Sequence, residues 1–152
     1  MAFSSEEEMR THLIVRLKEL DADSLIVMDS QNVGDIVICR GGEAPEIFFL
    51  ELKLYQPRNR RINLGDSSGR GFQPEVVQKR PYYLEDHLRW ILCDGRQDEP
   101  SYVLTDTATI RRYLAGGGIG AKHNNIQVGI LRELPILSED ALMKKLRDFL
   151  TT

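Results

Sequence analysis

The chain has 152 residues, 41% hydrophobic and 28% charged, with a formal net charge of −3 at pH 7. That is the length of one domain with a substantial core, so 1–152 reads as a single domain. The negative balance excludes a protein that coats nucleic acid through bulk positive charge, but not an enzyme that grips nucleic acid through a local patch.

Taken in chain order, SSEEEMRTHLIVRLKEL predicts an opening helix. Ser4 or Ser5 caps it, Glu7 or Glu8 completes a capping box, and Met9, Leu13, Leu17 and Leu20 form its buried stripe. The acidic start has no apolar export segment, and no apolar run reaches the ~18 residues that would cross a membrane. A cytoplasmic protein with no membrane association is expected. Strands follow at 24–29, 34–40 and 46–54, the last two joined by the hairpin loop GGEAP. Cys39 lies in the second of these. It and Cys93 have apolar neighbours and no metal-ligand spacing, as suits a reducing compartment.

A polar, glycine-rich loop spans 56–73. Helix is predicted over 74–95, entered through Pro74, divided at Pro81 and capped by Gly95. His87, beside Leu88 and Trp90 on that helix, reads as a packed histidine. SYVLTD (101–106) is a fourth strand, TATIRRYLAGGG a short helix, and NIQVGIL (125–131) a fifth strand. The closing helix, 138–150, carries acids in its first turn and bases in its last, as the helix dipole favours. The order α-β-β-β-α-β-α-β-α is that of a mixed α/β domain.

The chemistry concentrates on EIFFLELKLYQ, which carries Glu51 and Lys53 inside an apolar run. Strand alternation sets Ile47, Phe49, Glu51 and Lys53 on one face, and a hairpin centred on Glu43 places Asp35 opposite Glu51. Two carboxylates so close repel, and one pKa rises unless a cation lies between them. Mg²⁺ (or Mn²⁺) suits such a pair, because it takes a few carboxylate oxygens and fills its other positions with water or phosphate. Lys53 would then act on the attacking water or on the developing negative charge. The target must be anionic.

The string GDIVI…FFLELKL resembles the signature of the PD-(D/E)XK, or restriction-endonuclease-like, nuclease superfamily. Its core order, α-β-β-β-α-β, matches the first six predicted elements, over roughly residues 5 to 105; Gly34 stands where the pattern has proline. The resemblance implies a restriction-endonuclease-like αβββαβ core, a mixed sheet flanked by helices with a C-terminal βα extension. It further implies metal ligation by Asp35 and Glu51 and assistance to the nucleophile by Lys53. Gln78 and Tyr82 have the Q-x-x-x-Y spacing of the superfamily's RecB and lambda-exonuclease-like members, and Glu6 is a possible third acid from the opening helix.

Arg58, Arg60, Arg61 and Arg70 crowd the loop after the acid-bearing strand, where they would reach phosphates flanking a cut. Lys79 and Arg80 add charge to the next helix, whereas the loop carrying Lys122, His123, Asn124 and Asn125 reads as a connector. The expectation is a Mg²⁺-dependent DNA endonuclease of the restriction, repair or junction-resolving kind. Its small size suggests a homodimer for cutting two strands. The alternatives are a non-catalytic nucleic-acid-binding or assembly module on the same fold, and a nuclease directed at RNA.

Overall fold

The computed structural model describes residues 2–20, 25–30, 35–56, 58, 62–64, 73, 76–77, 82–115 and 125–152. Its opening helix α1, Glu6–Lys18, is capped by Ser5, whose side chain accepts from the Glu8 N–H. The Glu8 carboxylate reaches back to the Ser4 backbone N–H at 3.0 Å, so two otherwise unpaired donors are satisfied. Met9, Leu13 and Leu17 are its buried stripe, as their spacing predicts.

Strands β1 (Leu25–Asp29), β2 (Ile36–Arg40) and β3 (Glu46–Tyr55) form an antiparallel meander. Gly42, at φ 97°, makes the β2–β3 turn in a left-handed conformation that other residues rarely adopt. A two-residue strand β4, Ile62–Asn63, lies in the segment expected to be loop throughout.

The largest departure from expectation lies between 74 and 95. Gln73, Val76 and Val77 are helical, and α2 covers Tyr82–Glu85, but Leu88–Asp94 is strand β5. β5 runs parallel to β3, with Glu51 beside Trp90 and Lys53 beside Leu92. LRWILCD is apolar on both faces, as a central strand covered from both sides must be, and such a run carries no periodicity that separates it from a buried helix. Gly95 is therefore no helix cap: it follows β5, and its N–H donates to Tyr55 O at 2.8 Å.

β6, Ser101–Thr105, pairs antiparallel with β5 and completes a sheet ordered β1-β2-β3-β5-β6 with one parallel pair. The protein is thus α/β with a mixed five-stranded sheet flanked by helices. Asp106 caps α3, Thr107–Arg112, through the Thr109 N–H. β7 (Leu114–Ala115) and β8 (Asn125–Ile126) join β4 in a small sheet ordered β4-β8-β7. The strand expected over 125–131 is cut short here, since Ile130–Glu133 forms helix α4. Helix α5, Glu139–Thr151, has acids in its first turn but no base in its last, so only the N-terminal half of the expected charge pattern holds.

The large sheet has two packed faces. On one, Ile36, Ile38, Phe48, Leu50 and Leu52 meet Met9, Leu13 and Leu17 of α1 and Leu142, Leu146 and Leu150 of α5. On the other, Leu88, Trp90 and Leu92 meet Val76, Val77, Ile110, Ile126 and Ile130. The Trp90 indole donates to Thr107 Oγ1 at 3.0 Å, which satisfies its one polar atom inside that second core. β3 and β5 are the spine between the two cores. Among the described residues, no helix is long and apolar enough to cross a membrane.

Candidate active site

The site begins where two paired strands part. β2 matches β3 only from Ile36↔Leu50 to Arg40↔Glu46, which is the register of a hairpin centred on Glu43. β3 then runs on through Tyr55 with β5 on one side and no β2 on the other. Phe49 N–H donates to His87 O on the β5 side, so the odd-numbered N–H groups of β3 face β5 and the even-numbered ones face the notch. Side chains fill the notch in place of the missing strand. Asp35, one residue before β2, accepts the Leu52 N–H on Oδ2 at 2.7 Å, and Glu6 of α1 accepts the Leu54 N–H on Oε2 at 3.4 Å.

Asp35 and Glu51 stand close enough for the charge of one to oppose ionisation of the other, as the alternation and register predict. Glu51 is only 2% exposed. Burial first, then the neighbouring Asp35 charge, push its carboxyl well above the usual carboxylate range; Gln73 and Lys53 pull the other way. Gln73 Nε2 donates to Glu51 Oε2 at 2.5 Å. Burial also raises Glu6, where the Lys53 ammonium opposes it and the Asp35 charge reinforces it. Lys53, nearly buried, therefore acts electrostatically on both Glu6 and Glu51.

Arg10 of α1 closes the arrangement. Its Nη1 lies 4.0 Å from Asp35 Oδ1 and its Nε 3.1 Å from Asp29 Oδ1. Three acids and two bases thus gather at one end of the β2–β3 hairpin: Glu6, Asp35 and Glu51 with Arg10 and Lys53.

Sequence reasoning singled out Asp35, Glu51 and Lys53 for this site and Glu6 as a possible addition, and the four come together. It missed Arg10, one helical turn beyond Glu6 and so on the same face of α1, a spacing that would have found it. It also missed Gln73, which carries no signal where it stands, at the end of a polar loop. Gln78, Arg60, Arg61, Arg70, Lys79, Arg80, Lys122, His123 and Asn124 lie outside the described residues, as does the side chain of Tyr82. Arg58 is exposed and donates to Gln56 Oε1 at 3.1 Å. His87 precedes β5, with its Nε2 2.7 Å from Glu46 Oε2 and its ring against Phe48; it is packed, though not on a helix.

Among the described residues, no group of three or more His, Cys, Asp or Glu is arranged as a metal cage. The pair Asp35 and Glu51 nevertheless fits a hard cation such as Mg²⁺. Such ions take one or two carboxylates and keep water or phosphate in their other positions. A dication would also relieve the repulsion that now opposes Glu51 ionisation. Comparison of the chain with family models, with curated proteins and with solved structures returned no match.

Proposed function

We propose that the chain is a divalent-cation-dependent deoxyribonuclease of the PD-(D/E)XK kind, acting as an endonuclease. The observation that carries this reading is the convergence of Asp35 and Glu51 in the notch, with Lys53 on the same strand face as Glu51. The order α1, β1, β2, β3, a helical segment, then β5 parallel to β3 also supports it, because, the two-residue β4 apart, it has the element order of the superfamily's α-β-β-β-α-β core.

In this proposal Asp35 and Glu51 hold Mg²⁺ or Mn²⁺. When bound, that ion supplies charge to polarise a phosphodiester and to acidify a water. Lys53 orients the attacking water, or neutralises the charge developing on the phosphorus oxygens. Gln73 fixes the Glu51 carboxyl through its 2.5 Å hydrogen bond. Arg58, with Arg60, Arg61 and Arg70 close by in the sequence, supplies the local positive charge that an acidic chain needs to hold DNA. Gln78 and Tyr82, with the Q-x-x-x-Y spacing, would add contacts to the substrate. Cutting both strands of a duplex requires two such sites, and a second copy of the chain supplies the other.

A non-catalytic module is the second reading. What favours it is that Arg10, Lys53 and Gln73 already balance the acids, and that no three-ligand cage stands among the described residues.

Incubation of supercoiled plasmid with Mg²⁺ or with EDTA separates the two. Cleavage is expected only with metal, and is expected to fall about a hundredfold or more in Asp35→Asn, Glu51→Gln and Lys53→Ala. DNA binding that is equal in every variant, with no nick in any, would favour the module. Light scattering on the same preparation tests the dimer: a monomer at concentrations that break both strands would rule it out.

A further inference from the structure

We propose that Arg10 is a displaceable counter-ion of this centre. Without metal it occupies the place of a dication beside Asp35; once a dication takes that carboxylate, its guanidinium turns to a phosphate of the substrate. This rests on the nuclease reading of the site.

Three observations carry it. The first is that Arg10 is shielded yet poorly bonded. Its side chain is 16% exposed, and among the described residues its contacts are ion pairs with two carboxylates, with no aligned hydrogen bond at its buried Nε. A guanidinium has five N–H donors in a planar fork, and among the described residues only its Nε and Nη1 stand near a carboxylate. The second is that its hold on Asp35 is loose. At 4.0 Å the contact is electrostatic rather than a hydrogen bond, whereas the same carboxylate accepts the Leu52 N–H at 2.7 Å. A cation arriving at Asp35 therefore displaces only a charge–charge contact and leaves the carboxylate anchored by backbone. The third is a tether. Asp29, at the end of β1, lies 3.1 Å from Nε, so the guanidinium keeps one acid partner at the rim of the site when it releases the other.

The chemistry is a competition of charges. Arg10 and a dication attract the same carboxylate and repel each other, so Arg10 weakens metal binding to the free protein. A phosphate beside the metal reverses this, since a planar fork can take two of its oxygens in charge-assisted hydrogen bonds. Arg10 thereby links metal retention to the presence of substrate.

The test measures metal binding without catalysis. Mn²⁺ is titrated calorimetrically into the parent protein and into Arg10→Gln, Arg10→Lys and Asp35→Asn, with no nucleic acid present. Arg10→Gln is expected to bind Mn²⁺ about tenfold more tightly than the parent, because a repelling charge is gone. Arg10→Lys keeps the charge and is expected to match the parent. Both are expected to bind a fluorescent duplex about tenfold more weakly in Ca²⁺, because the fork is lost. A residue that merely props α1 against β1 would lower thermal stability without tightening metal binding. Should Arg10→Gln fail to fold, Arg10→Met supplies the neutral side chain. Unchanged or weaker Mn²⁺ binding in a folded neutral variant would overturn the role of Arg10 while leaving the metal centre standing. No Mn²⁺ site in the parent that Asp35→Asn abolishes would overturn both.

Discussion

Glu51 sets the electrostatics of the protein at the scale of single residues. Its carboxyl is buried against Asp35, so its pKa lies well above that of an exposed glutamate. In the unfolded chain it ionises near the ordinary value; in the fold it resists. Between those two values the native state binds more protons than the unfolded state, so stability falls as pH rises through that window. Each unit of displaced titration is worth about 1.4 kcal/mol. Glu51→Gln removes this penalty while keeping an acceptor for Gln73 and gaining a donor for Asp35. The variant is expected to be more stable than the parent in urea unfolding at pH 8 and indistinguishable from it near pH 4. Equal stability of the two at both pH values would show that Glu51 ionises normally. The meeting of Asp35 and Glu51 was legible in the sequence because strand alternation and a five-residue turn fix which residues oppose one another. The partnership of Gln73 was not, because it depends on a long-range approach of a segment whose local composition says only loop.

Among the elements, β5 decides the architecture. LRWILCD follows a short helix and has no alternation, so local pattern alone extends that helix to Gly95. Parallel pairing with β3 and burial from both sides select the strand instead. The same pairing gives Gly95 its role. A Cβ there would stand 2.8 Å from the Tyr55 carbonyl oxygen and 3.0 Å from Leu54 Cδ1. Backbone cannot yield as a side chain can. Gly95→Ala is expected to destabilise the fold by about 1–3 kcal/mol, seen as a lower urea midpoint at unchanged slope. An unchanged midpoint would mean that the ends of β3 and β5 are free to separate. The misreading of 125–131 has a similar cause. NIQVGIL looks like a strand by composition, but β8 finds partners for only two residues before α4 begins. The helices α1 and α5 and the strands β1, β2, β3 and β6 were legible because caps, turns or regular periodicity mark their limits.

Over the whole molecule, the sheet brings together residues from four distant stretches. α1 contributes Glu6 and Arg10, β2 begins just after Asp35, β3 carries Glu51 and Lys53, and the segment before α2 supplies Gln73. The two cores hold β3 from both faces, so Glu51 sits on a strand that cannot easily tilt away from the repulsion of Asp35. A cation between the two carboxylates would relieve that repulsion, as the proposed function requires. Crystals soaked in Mn²⁺ test it most directly, through the anomalous scattering of the metal. The expected result is a peak between the carboxylates of Asp35 and Glu51, absent from crystals of Asp35→Asn. Crystals with Mn²⁺ bound elsewhere, and no peak between these two carboxyls, would contradict it.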